Sequence, residues 1–173
     1  DKNKEVLELD SDGKYAFVCY VLDLYRFNLF TNEAKKVFTV PKEKKGFPHI
    51  YNMFWYKLDG NNNLWVATMD GIKIYESESL KIIREIPPET EAWPLGFFHI
   101  SDKKLMCYLY SNGVILYDYN AGKEYKLTPG DGLTSIENYG FNMSNNNIFV
   151  GANDRFHYAD INEIVKADFK RRC

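Results

Sequence analysis

The chain has 173 residues, of which 45% are hydrophobic, 16% aromatic and 27% charged, and its formal net charge is -2. Apolar content of this order excludes a disordered chain, and the near-neutral balance excludes a protein that grips a phosphate backbone through a basic excess. A chain of this length forms one domain whose core stands without staples.

Four segments share one plan in chain order: an apolar stretch, a polar turn, a second apolar stretch, another turn and a third. The first is LELDSDGKYAFVCYVLDLYRFNLF, from Leu7. The second, from Trp55, is WYKLDGNNNLWVATMDGIKIYESESLKIIREIP. The third starts at Phe97 and reads FFHISDKKLMCYLYSNGVILYDYNAGKEYKL. The fourth starts at Tyr139 and reads YGFNMSNNNIFVGANDRFHYADI. Taking the residue after each first turn aligns Tyr15, Leu64, Leu105 and Ile148. Spacings of roughly 40–50 residues, with several short strands in each, predict an all-β chain of β-propeller blades. No apolar pattern of helical spacing is sustained across a repeat.

Each repeat is expected to hold four antiparallel strands, so the chain would be about four blades at residues 5–41, 51–88, 95–128 and 136–168. All four would belong to a single domain over 1–173, complete or part of a larger propeller. In the second repeat the first strand is FWYKL (54–58), and GNNN makes its turn because Gly and Asn tolerate positive φ. LWVAT (64–68) follows and is apolar almost throughout, as a strand covered on both faces would be. MDG turns the chain into IKIYE (72–76). KIIREI (81–86) carries the charge of an outer, wetted strand, and Pro87 and Pro88 end it. The connectors PKEKKGFPHIYN, PPETEAWPLG and TPGDGLTSIEN carry Gly, Pro and polar residues, so they are loops.

The segment DGNNNLWVATMDGIKIYE resembles the repeat of the two-component regulator propeller family. The likeness rests on Asp59, Asn63, Leu64, Trp65, Ala67, Thr68, Gly71, Ile72 and Tyr75. DGLTSIEN (131–138) is similar to the linker that often precedes a blade there, and Gly113 and Tyr117 keep part of the pattern in the third repeat. Elsewhere the pattern departs: Ala16 and Phe149 stand where Trp is expected, and Arg155 where Gly is. The resemblance implies a segment of the periplasmic sensor region of a membrane-bound hybrid histidine kinase, a receptor class that often governs carbohydrate use. It also implies that other receptor segments are partners and that the membrane is reached only through flanking sequence.

Catalytic patterns are thin. The histidines His49, His99 and His157 form no H-E-x-x-H, and there is neither a G-x-S-x-G nor a phosphate-cradling glycine run. His99 and His157 fall in strand patterns and are expected to be packed residues. Cys19, Cys107 and Cys173 form no C-x-x-C pair, so neither a zinc site nor a disulfide framework is expected. DSDGK (10–14) opens like a calcium loop, but SDKK, GNNN and SNNN occupy the same place in other repeats, and a hairpin turn explains all four. No metal, cofactor or nucleic acid is expected. No apolar run reaches bilayer-spanning length, and no signal peptide opens the chain, whose abrupt ends suggest an excised piece.

Propeller geometry puts the blade-to-blade connectors and the turns between second and third strands on one face. It gathers Lys44, Lys45, His49, Asp70, Trp93, Asn112, Asp154 and Arg155 on one rim. A tryptophan in a polar loop is costly unless it packs or binds something. The expected ligand is anionic or hydroxyl-rich, such as an oligosaccharide, with Trp93 stacking on it and Arg155 pairing with it. A protein-interaction scaffold is the alternative. A run of four blades would leave unpaired edges and exposed faces, so self-association is expected.

Overall fold

The computed structural model describes residues 7–20, 23–39, 55–87, 94–100, 104–110, 113–127, 140–144, 146–151 and 156–171. Four antiparallel sheets follow one another along the chain. The first holds β1 (Leu7–Leu9), β2 (Tyr15–Tyr20), β3 (Asp23–Asn28) and β4 (Ala34–Thr39) in sequence order. The second holds β5 (Trp55–Leu58), β6 (Asn63–Thr68), β7 (Gly71–Glu76) and β8 (Ile82–Ile86). The third holds β9 (Pro94–Ile100), β10 (Leu105–Tyr110), β11 (Gly113–Asp118) and β12 (Lys123–Leu127). Among the described residues the fourth has three strands, β13 (Gly140–Ser144), β14 (Asn147–Gly151) and β15 (Phe156–Asp160).

The first strands lie side by side, β1 beside β5 and β5 beside β9. The sheets therefore fan outward from a shared line, and each packs on the next. Phe17 and Leu24 of the first sheet meet Leu64, Val66 and Tyr75 of the second. Trp65, Ile72 and Ile74 on the opposite face of the second sheet meet Met106, Tyr108 and Ile115 of the third. Cys107, Val114 and Leu116 of the third meet Ile148 of the fourth. Burial of apolar area on both faces of the middle sheets is the main stabilising term, and it explains why LWVA shows no polar alternation.

Turn chemistry fixes the hairpins. Asp59 is buried, and its Oδ1 accepts from the backbone N–H groups of Asn61 and Asn63 at 2.8 and 2.9 Å. In DSDGK, Asp10 Oδ1 accepts from Tyr15 N–H at 2.9 Å, and Gly13 takes the left-handed conformation at φ +67°. Asn62, Lys104 and Asn146 take it at the corresponding place, each one residue before the second strand. In the turns after the third strand, Asn32, Leu80 and Gly122 do so as well. Left-handed backbone is costly for a bulky residue such as Leu80, so its recurrence marks a position dictated by the repeat.

These landmarks correct the sequence alignment. The hairpins close at Tyr20–Asp23, Thr68–Gly71 and Tyr110–Gly113. Counting from them makes Phe17, Trp65 and Cys107 equivalent, and the left-handed turn residue adds Phe149. Tyr15 and Leu105 therefore match Asn63 and Asn147, one residue before the expected Leu64 and Ile148. The Trp position of the first sheet is filled by Phe17 rather than Ala16. A strand apolar on both faces gives no alternation to set its register, and the first turn is one residue longer than the second.

A second correction concerns the fourth repeat. A fourth strand is expected before residue 168, but Ile161–Arg171 form α1. Asp160 caps it, its Oδ1 accepting from Asn162 N–H at 2.6 Å and Glu163 N–H at 3.4 Å. Ile161, Ile164 and Val165 share one helical face and join the cluster between the third and fourth sheets. The helix lies against β12 and β15.

Candidate functional site

The rim read from the sequence lies almost wholly outside the described residues. Lys44, Lys45, His49, Trp93, Asn112, Asp154 and Arg155 all fall there. Asp70 is described: it is exposed in the turn between β6 and β7, where its backbone N–H donates to Thr68 Oγ1 at 3.1 Å. That turn emerges at the end of the second sheet expected for the rim.

The structure gathers a second polar group, along the line where the first strands meet. Glu8 on β1 and Lys57 on β5 occupy the same place in successive repeats. Glu8 Oε1 accepts from Lys57 Nζ at 2.7 Å, and the two side chains retain 16% and 35% of their exposure. Such shielding from solvent makes this pair stronger than the exposed surface pairs, for example Lys166 with Glu163. His99 on β9, one residue beyond the equivalent place, lies within electrostatic reach of them. Its Nε2 lies 3.0 Å from the Tyr119 hydroxyl, in the turn after β11. Burial holds the His99 imidazole below its ordinary value of 6.5; Asp59 and Glu8 oppose the shift and Lys57 adds to it. His99 is therefore neutral at pH 7.

Gly60 ties this group to the turn after β5. Its backbone lies close to the Tyr119 oxygen that pairs with His99. A Cβ on Gly60 would stand 2.5 Å from that oxygen, so a larger residue there would push the Tyr119 hydroxyl aside. Burial raises the Tyr119 phenol above its ordinary value, and the Asp59 carboxylate adds to the effect. The result is a compact set of one ion pair, one neutral imidazole and one phenol on three successive sheets. It can exchange hydrogen bonds with a hydroxyl-rich or zwitterionic group.

Its two carboxylates are already engaged, Glu8 by Lys57 and Asp59 by four donors that include Trp65 Nε1 at 2.9 Å. Sequence reading placed His99 in a packed strand and passed over Glu8, Lys57 and Tyr119. The signal was opposite charge at one repeat position on neighbouring first strands.

The thiol at Cys107 is fully buried, and burial pushes its pKa far up, which makes it a packing group rather than a nucleophile. Among the described residues no helix is long and apolar enough to cross a membrane.

No protein-family profile and no curated protein matches the chain. Solved structures do. The extracellular domain of a protein described as a hybrid two-component system from B. thetaiotaomicron has a TM-score of 0.64 at 15% identity, over 90% of this chain and 20% of that one. A second domain of that description from the same organism has a TM-score of 0.62 at 15% identity, over 88% and 21%. Hydrazine synthase from Kuenenia stuttgartiensis has a TM-score of 0.64 at 14% identity, over 91% and 46%.

The shared architecture is the β-propeller blade. The chain spans about a fifth of the two extracellular domains and under half of the synthase. At such identities the likeness is one of fold, and blades of this kind serve a receptor and an enzyme alike.

Proposed function

We propose that the chain is a non-catalytic segment of the extracytoplasmic sensor region of a hybrid two-component receptor, with a hydroxyl-rich ligand, an oligosaccharide, as its signal. The observation that carries this reading is the agreement of two independent likenesses. The Asp59–Tyr75 stretch resembles the two-component regulator propeller repeat, and the blades superpose on extracellular domains of hybrid two-component proteins. The proposed ligand contacts are Trp93, stacking on a sugar ring, and Arg155, pairing with anionic or hydroxyl groups, with His49, Lys45, Asp70, Asn112 and Asp154 around them. Binding would act by favouring one arrangement of receptor subunits over another.

Calorimetric titration with a panel of neutral and acidic oligosaccharides tests the reading. The expected result is saturable binding that falls at least about 10-fold when Trp93 and Arg155 are both changed to alanine. Unchanged affinity of the double variant for a binding glycan would remove the rim from the account. A scaffold without a small ligand is the second reading, favoured by the exposed apolar faces of the first and fourth sheets. Capture of a defined protein partner, with no glycan bound, would decide for it.

A further inference from the structure

We infer that the innermost strands hold one neutral sugar ring, stacked on the Trp55 indole and bonded through its hydroxyls to the Glu8–Lys57 pair. The inference rests on the reading that the signal is an oligosaccharide, and it adds a subsite to the rim of Trp93 and Arg155.

Directly paired residues share a face of a sheet, so Trp55 and Lys57, opposite Ala67 and Trp65, lie on one side of the second sheet. Ala67 and Trp65 are buried against the third sheet, yet Trp55 on the innermost strand is 41% exposed. Trp65 Nε1 donates to Asp59 at 2.9 Å, whereas among the described residues nothing bonds to or stacks on the Trp55 indole. The second sheet already has a neighbour packed on each side. Further sheets in a longer chain would extend the run at its ends and leave this indole as it is.

The neighbouring inner strands leave room beside the ring. Gly96 on β9 pairs with Leu109, and Gly140 on β13 pairs with Gly151. Leu109 and Gly151 are the equivalents of Ala67, so Gly96 and Gly140 stand at the level of Trp55. One level thus carries an indole and two positions without a side chain. A Cβ at Gly96 would meet only Phe98, at 3.6 Å. Two residues along the strands, about 7 Å deeper, the equivalent places hold Glu8, Lys57, Phe98 and Asn142.

An aromatic face above a polar level suits a pyranose. The C–H face of the sugar packs on the indole, and the hydroxyls at its edge reach the pair. Glu8 and Lys57 share one hydrogen bond at 2.7 Å, which leaves a carboxylate oxygen to accept and ammonium N–H groups to donate. A hydroxyl can use both and keep the pair intact. A charged ligand must displace one partner of a contact shielded from solvent, so a neutral ring is favoured.

Indole N–H resonances of the 173-residue chain test this, titrated with methyl glucoside, methyl galactoside, methyl mannoside and methyl glucuronide to about 0.1 M. The Trp55 resonance, assigned by its loss in Trp55→Phe, should shift saturably with at least one neutral glycoside, and the Trp65 resonance should not. Trp55→Ala should keep the circular dichroism of the native chain and weaken binding at least about 10-fold. The Trp93 resonance reports the rim separately. Movement of Trp93 alone would overturn this inference and leave the sensor reading standing, and movement of neither Trp55 nor Trp93 would contradict both. Native affinity in Trp55→Ala, or tighter binding of the glucuronide than of every neutral glycoside, would also overturn it.

Discussion

Replacing Trp65 by alanine is expected to lower the unfolding free energy by about 3–5 kcal/mol. The side chain is 1% exposed and lies between the second and third sheets. Its ring meets Tyr117 at 5.0 Å and Phe97 at 6.1 Å between centroids, both edge-on. Such geometry contributes about 0.5–1.5 kcal/mol beyond area burial, so the cavity and lost burial dominate the loss. The neighbouring Trp55, on the adjacent strand, is 41% exposed. Trp55→Ala should cost under about 1 kcal/mol. Urea denaturation of both variants checks the pair, and equal losses would contradict the stacking of the second sheet on the third.

The second large effect is expected at Asp59. Asp59→Ala should cost about 3 kcal/mol, because its carboxylate serves several donors at once. Oδ1 accepts from two backbone N–H groups, and Oδ2 accepts from Asn63 Nδ2 at 3.1 Å and Trp65 Nε1 at 2.9 Å. Removing it leaves the buried indole N–H without an acceptor. Asp59→Asn should lie between, since the amide can still accept from the backbone but turns its NH2 toward the side-chain donors. Asp10→Ala should cost less, because the first sheet has Phe17 where the second has Trp65, and no indole depends on Asp10. Thermal unfolding of the three variants gives the order, and a loss at Asp10 as large as that at Asp59 would contradict it.

Much of this fold was legible because turns announce themselves. The residues Asp59, Asn62 and Gly13 belong to types with a local reason to bend the chain, and they do so in the structure. Strand identity was legible too, since runs such as LWVAT and GVILYD are too apolar and too short for anything but covered strands. Register was not, because Leu64 and Trp65 are both buried, on opposite faces, and neither face advertises itself. The helix at Ile161 was hidden by its length: three apolar residues at helical spacing are a weak pattern where a fourth strand is due.

For the site, chain position was a poor guide. Glu8, Lys57 and His99 are far apart in sequence and become neighbours only when the first strands of three sheets line up. The rim around Trp93 and Arg155 rests on repeat position alone, and only Asp70 of that set belongs to the described residues.

The stacking of sheet on sheet underlies the burial of Trp65, the axial polar group and the exposed outer faces. Its most direct test is the nuclear Overhauser spectrum of the aromatic side chains. Trp65 indole protons should show cross-peaks to the rings of Tyr117 and Phe97, assigned by their disappearance in Trp65→Phe. Cross-peaks from Trp65 only to protons of its own sheet would contradict the account.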